Sequence, residues 1–253
     1  MLLSFSELRT DWGALELAQE YGWTKSSAQR LLAALSSKGF LRTDPYTRRY
    51  SLGPAMWRMA SLWERSGGLA KLATTVLTKL SLETSLTTSF SVPDGNHVRC
   101  IAAVDGATGP IRAHTLIGDL YPAHAGATSR AYFAFLSPPE LRSLLHGRPL
   151  AVFSEYTEVN EQRLDLLFEQ TVIQGFALST GEYDVSTRAL AVPVILGRRP
   201  IGSLTVMESK AQNPDSNIGD HLPSLQAASE ELSDMLANRT VATKRSLRNG
   251  NNS

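Results

Sequence analysis

ALELAQEYGWTKSSAQRLLAAL, residues 14–35, reads as two short helices on either side of a tight turn, and this reading decides the amino-terminal fold. Leu15, Leu17, Ala18 and Tyr21 recur at near-helical spacing and leave Glu16, Gln19 and Glu20 for solvent. Gly22 follows where a helix end favours a residue that tolerates positive φ. Thr24 offers its hydroxyl as a cap, and a second helix is predicted over Lys25–Ser37, with Ala28, Leu31, Leu32 and Leu35 as its buried stripe. The opposite face carries Lys25, Ser26, Gln29 and Arg30, side chains suited to phosphates and base edges. A helix-turn-helix of this kind seats its second helix in the major groove of duplex DNA.

Local charge separates this reading from that of an ordinary solvated helix pair. Between Thr24 and Tyr50 stand six cations (Lys25, Arg30, Lys38, Arg42, Arg48, Arg49) and one acid, Asp44. GFLRTDPYTRRYSLG, residues 39–53, then reads as a hairpin, with strands at Phe40–Thr43 and Arg49–Leu52 around a DPYT turn. Such a wing brings Arg48 and Arg49 to the flanking backbone or minor groove. The expected base contacts are Gln29 and Arg30, and the expected backbone contacts are Lys25, Ser26, Ser27, Arg48 and Arg49.

The 253 residues suffice for one large or two small domains. The net charge of +1 hides an uneven distribution: nine cations against six acids in residues 1–65, twelve against eighteen in residues 66–238, and four against none in residues 239–253. A basic head beside an acidic body fits a DNA reader joined to something that does not read DNA. One cysteine, Cys100, excludes an intramolecular disulfide and a cysteine-rich zinc site and is consistent with the cytoplasm. No stretch approaches the ~20 apolar residues of a membrane span, so no membrane partner is expected. MLLSF lacks the features of a signal peptide and reads as a first helix with Leu2, Leu3, Phe5 and Leu8 inward. Its abrupt start at Met1 leaves room for a true start upstream.

PAMWRMASLWER, residues 54–65, reads as a connecting helix with Trp57 and Trp63 as packing or dimer anchors. Beyond it, helices are predicted over Leu69–Leu82, Ala127–Phe135, Pro139–Leu145, Asn160–Gln174 and Pro223–Asn238. Strands are predicted over Thr87–Val92, His97–Ala103, Ile111–Thr115, Phe176–Thr180, Leu190–Leu196 and Ile201–Glu208. Strand pairs interrupted by helices indicate an α+β body: an antiparallel sheet with flanking helices. The basic tail, residues 241–253, is expected to be disordered.

Taken together, these residues resemble the IclR family of transcriptional regulators over nearly the whole chain. The head match is LELAQEYGWTKSSAQRLLAALSSKGFLRTDPYTRRYSLG. In the body, SFSVPDGNHVRCIAAV matches the family's hairpin, GDLYPAHAGATSRAYFAFL its P-H-x-x-A-x-G-K-A stretch, and GFALSTGEYDVSTRALAVPV its G-Y-A stretch. The resemblance implies a winged helix-turn-helix at 1–53, a linker helix at 54–68 that helps pair the heads, and a GAF-like effector-binding and oligomerising domain at 69–240. It implies a homodimer or dimer of dimers on a near-palindromic operator, with no cofactor. It also implies an effector pocket lined by Gly126, Ala127 and Thr128, whose loop N–H groups lead into a helix and would favour a carboxylate.

Departures from the family fall on the other expected pocket positions. An Asp becomes Ser179, the first Glu of a pair becomes Gly181 while Glu182 keeps the second, a Gly becomes Ser186, and a Cys becomes Ala189. Two serines become Thr205 and Met207, and the G-K pair becomes Ser129-Arg130. These changes favour an effector larger and more apolar than a short keto acid, such as an aromatic or alicyclic carboxylic acid. A degenerate pocket on a ligand-independent DNA-binding oligomer is the competing reading. Enzymatic motifs are missing, and no metal site is expected. His97 and Cys100 lie three apart on a predicted strand and point to opposite faces. His114 completes no catalytic pattern, and His124 is expected to bond a backbone carbonyl, with contact to an effector as its alternative role.

Overall fold

The computed structural model describes residues 1–5, 9–65, 68–107, 111–112, 116–147 and 149–249, with side chains for all of these except residues 3, 64 and 238–249. Backbone contacts divide it into two units, Met1–Gly68 and Leu69–Ser253.

In the first unit a single 3-10 turn, Leu2–Ser4, stands where a helix was expected, because the Trp12 indole takes the Ser4 carbonyl at 3.1 Å. Met1, Leu2 and Phe5 still pack inward, and Leu8 lies outside the described residues. Strand β1, Asp11–Trp12, leads through Gly13 into helix α1, Ala14–Glu20. Leu17 and Ala18 are buried, but Leu15 and Tyr21 are exposed: a two-turn helix meets the core along one line, and both fall beside it. Tyr21 stacks on Trp23 instead, with ring centroids 4.8 Å apart.

Helix α2, Lys25–Ser37, begins as expected at Thr24, whose Oγ1 accepts the Ser27 N–H at 3.2 Å. Ala28 and Leu32 are buried, Leu35 packs partly inward, and Leu31 lies toward solvent. Strands β2, Leu41–Thr43, and β3, Tyr50–Leu52, form the wing, and the three-stranded sheet runs β1-β3-β2. Trp12, Leu17, Leu32 and Leu41 form its core, each worth about 1.5–3 kcal/mol of burial. Helix α3, Pro54–Arg65, carries Trp57, Met59, Leu62 and Trp63 exposed.

The second unit opens with helix α4, Gly68–Thr84, and continues through strands β4, Thr87–Asp94, and β5, His97–Val104. The next strand is β6, Leu120–Pro122. The strand expected at Ile111–Thr115 is not observed: Ile111 and Arg112 are outside regular structure, and residues 113–115, His114 included, lie outside the described residues. The edge partner of β5 is therefore β6, pairing Val98 with Tyr121. Helices α5, Ala127–Phe133, α6, Pro138–Leu145, and α7, Glu161–Gln174, precede strands β7, Ala177–Thr180, β8, Thr187–Leu196, and β9, Arg199–Ser209.

The antiparallel sheet runs β6-β5-β4-β9-β8-β7. Its centre joins the outer hairpins through β4 and β9, and the pairing of β4 with β5 is interrupted by a bulge between Phe90 and Ser91. Gly202 sits against that bulge, where a Cβ would lie 2.3 Å from the Ser91 carbonyl oxygen, so only glycine fits. One core gathers Leu77, Phe90, Leu204, Leu225 and Leu232 between the sheet and α4 together with helix α8, Leu222–Asn249. A separate cluster of alanines, Ala127, Ala131, Ala177 and Ala191, lets α5 lie close on the sheet. Helix α8 ends at Asn249, and residues 250–253 of the basic tail lie outside the described residues. TVATKRSLRN holds no Gly or Pro to stop it before Gly250. No helix among the described residues is long and apolar enough to cross a membrane.

Candidate nucleic-acid interface and ligand cavity

Helix α2 presents Lys25, Ser26, Gln29 and Arg30 exposed on one face, with Ser27 half-buried at its edge. Lys25, Gln29 and Arg30 have no intramolecular partner among the described residues. Ser26 and Ser27 are less available, because their hydroxyls lie 3.1 and 2.9 Å from the Thr24 Oγ1 that caps the helix. On the wing, the Asp44 carboxylate accepts the N–H groups of Tyr46 and Thr47 at 2.9 and 2.7 Å. These bonds hold its carboxyl pKa below the ordinary aspartate value. The turn so fixed leaves Tyr46 93% exposed and places Arg48 at φ 58° with its side chain outward. Tyr46 is a candidate that periodicity could not flag; its only signal was a Pro-Tyr pair inside a turn.

Arg49 departs from expectation. Its Nε donates to Asp11 at 2.7 Å, and Nη1 and Nη2 donate to the two Glu16 oxygens at 2.8 and 3.0 Å. Glu16 also accepts from Arg9 at 2.6 Å, and these bonds pull its carboxyl down to about 2. The guanidinium is a clamp between wing, β1 and α1 rather than a free phosphate ligand, because two carboxylates outcompete solvent for a planar fork.

The second unit holds a cavity of about 350 Å³. Gly126, Ala127, Thr128, Ser179, Glu182, Ala189 and Met207 line it, as do Ile111, Leu116, Tyr121 and Tyr183, which the sequence reading missed. Thr205 does not line it: fully buried, its hydroxyl bonds to Thr128 Oγ1 at 3.0 Å from behind. Strand alternation puts Thr205 and Met207 on one face, but α5 covers the former.

The loop N–H groups are also not free. Gly126, at φ 94°, donates to Glu182 Oε2 at 3.0 Å, and Ala127 donates to Ser179 Oγ at 3.0 Å. Arg130, its side chain 4% exposed, grips both Glu182 oxygens at 2.7 and 3.0 Å and the Leu178 carbonyl at 2.7 Å. The chain thus places its own carboxylate where a ligand carboxylate was expected. Burial raises the Tyr121 and Tyr183 hydroxyls above the ordinary phenol range, helped by the charge of Asp119, so both stay protonated. His124 Nε2 lies 2.8 Å from the Ala151 carbonyl oxygen. Cys100 is fully buried, and burial pushes its thiol up to about 12, too high for a nucleophile at neutral pH. Among the described residues no group of three or more His, Cys, Asp or Glu is placed to hold a metal ion.

Residues 65–234 match the family described as "Bacterial transcriptional regulator IclR C-terminal", and residues 1–45 match the IclR helix-turn-helix domain. The chain belongs to the IclR family. It is 29% identical over 230 residues to the HTH-type transcriptional regulator XynR of Escherichia coli, covering 90% of this chain and 91% of that one. The IclR structure from Thermotoga maritima shares the fold at TM-score 0.63 and 21% identity, with 93% and 95% covered. An IclR homologue from Microbacterium hydrocarbonoxydans, solved with 4-hydroxybenzoate, matches at TM-score 0.60 and 18% identity, covering 94% and 96%. As an IclR protein, this chain is a transcriptional regulator with a helix-turn-helix DNA-binding domain.

Proposed function

We propose that this IclR protein binds a near-palindromic operator sequence-specifically as a homodimer or dimer of dimers, and that a small ring compound in the second unit modulates the binding. The head is read as residues 1–53, the linker as 54–68 and the effector body as 69–240. Gln29 and Arg30 read base edges, while Lys25, Arg48 and the hydroxyls of Ser26 and Ser27 hold the backbone. Two recognition helices sit about one duplex turn apart, ~34 Å. The effector shifts that geometry only by its differential affinity for the two states.

The observation that carries this reading is the polar row of α2, Lys25, Gln29 and Arg30, two of them cations and none with a partner among the described residues, on a head whose wing presents Arg48. The cavity supports the second half, since about 350 Å³ accommodates a single aromatic ring. The 4-hydroxybenzoate held by the Microbacterium homologue is of that size, in keeping with the aromatic or alicyclic acid expected from the sequence. Fluorescence anisotropy on an operator selected from random duplexes, with and without ring compounds, tests both halves. Coupling of about 1–3 kcal/mol supports effector control. Coupling of zero throughout leaves a ligand-independent oligomer, and equal affinity for selected and random duplexes removes specific recognition.

A further inference from the structure

We propose that the cavity is tuned to a ring compound that donates hydrogen bonds and bears no negative charge, an aryl alcohol or amine in preference to an aryl acid. This rests on reading the cavity as the effector site and changes only the chemistry of what enters it.

The anion-binding end of the cavity is already filled. Glu182 holds the Gly126 N–H and both ends of the buried Arg130 guanidinium, and Ser179 holds the Ala127 N–H. A ligand carboxylate arriving there would sit beside Glu182 with these donors spent. Two more acids line the exposed side, Asp119 and Asp184. One Asp184 oxygen accepts the N–H and hydroxyl of Ser186 at 2.8 and 2.7 Å. Its other oxygen and the Asp119 carboxylate have no partner among the described residues. Every charged side chain lining the cavity among those residues is an acid. These carboxylates accept hydrogen bonds and cannot donate them. Ile111, Leu116, Ala189 and Met207 supply the apolar wall for a ring, and the neutral phenols of Tyr121 and Tyr183 add aromatic faces. Shape thus asks for a ring, and charge asks for a donor.

Isothermal titration of the intact chain with benzylamine, benzyl alcohol and benzoate varies charge on a constant ring. Benzylamine and benzyl alcohol are expected to bind at least about tenfold more tightly than benzoate, as the Coulomb energy of one or two unit charges near solvent implies. The double variant Asp119→Asn, Asp184→Asn changes two exposed side chains and is expected to narrow the benzylamine-to-benzoate ratio by about tenfold. Met207→Trp fills the cavity and is expected to abolish binding of all three probes. Ala189→Leu serves the same purpose if circular dichroism shows Met207→Trp misfolded. Benzoate binding as tightly as benzylamine, and abolished by the filling variants, overturns the charge preference while the effector site stands. Binding of none of the three, or binding that ignores the filling variants, removes the site and the proposal together.

Discussion

Replacing Glu182 by Ala should unfold the second unit well below its normal temperature, and the cost follows from what loses a partner. Arg130 and Glu182 have side chains only 4% and 13% exposed, so neither charge can turn to bulk water. Without the carboxylate, Arg130 keeps only the Leu178 carbonyl, and the Gly126 N–H has nothing to donate to. Removing one member of a buried pair costs about 3–5 kcal/mol. For a unit of this size that is a fall of roughly 6–20 °C in Tm. Replacing both members by apolar groups of similar volume, Arg130→Met with Glu182→Leu, leaves no charge stranded and should recover most of the loss. All four tryptophans lie within residues 1–68. Tryptophan emission therefore follows the head, while circular dichroism follows the whole chain. Thermal melts of wild type, Arg130→Met, Glu182→Leu and the double variant form a mutant cycle, with an expected coupling of about 2–3 kcal/mol. If the double variant loses the sum of the two single losses, the pair is not what secures α5 and the reasoning fails.

Arg30→Ala should cost about 1–3 kcal/mol on the selected operator and relax its specificity, whereas Arg48→Ala should weaken every duplex alike and lower the salt slope by about one. Equal losses on random DNA for both would reverse the assignment. Arg49→Ala should leave the salt slope intact and instead raise hydrogen exchange at the wing amides; an altered slope with unchanged exchange would return Arg49 to the DNA. Because the Glu16 carboxyl is lowered from an ordinary 4.5 to about 2, its contribution to the head is present above pH 4.5 and lost as pH falls toward 2. Tryptophan emission should show the head loosening over that window, modestly because the group is solvent-screened. Glu16→Gln should flatten the dependence.

The recognition helix was legible because thirteen residues repeat their apolar stripe and open on a capping threonine. The central strands were legible for a similar reason: β8 and β9 span ten and eleven residues around a glycine turn. Strands β1 and β6 were not, because two or three residues are too few to display alternation and exist only through their partners. Seven of the positions taken from the family pattern line the cavity, but Thr205 shows where such reading stops. Strand parity places it on the right face, and only the close seat of α5 decides that Thr128 stands in front of it. Arg49 and Glu182 teach the same lesson for charge. Each looked available to a ligand, and each is consumed by a residue more than thirty positions away in sequence.

The clamp around Arg49 has a mechanical corollary. By riveting β3's approach to both β1 and α1, it makes the wing and the helix pair a single stiff gauge. The distance from Arg30 to Arg48 is then set before any duplex arrives. In the proposed dimer, adjustment during regulation would come from how far apart two such gauges are held, not from bending within either one.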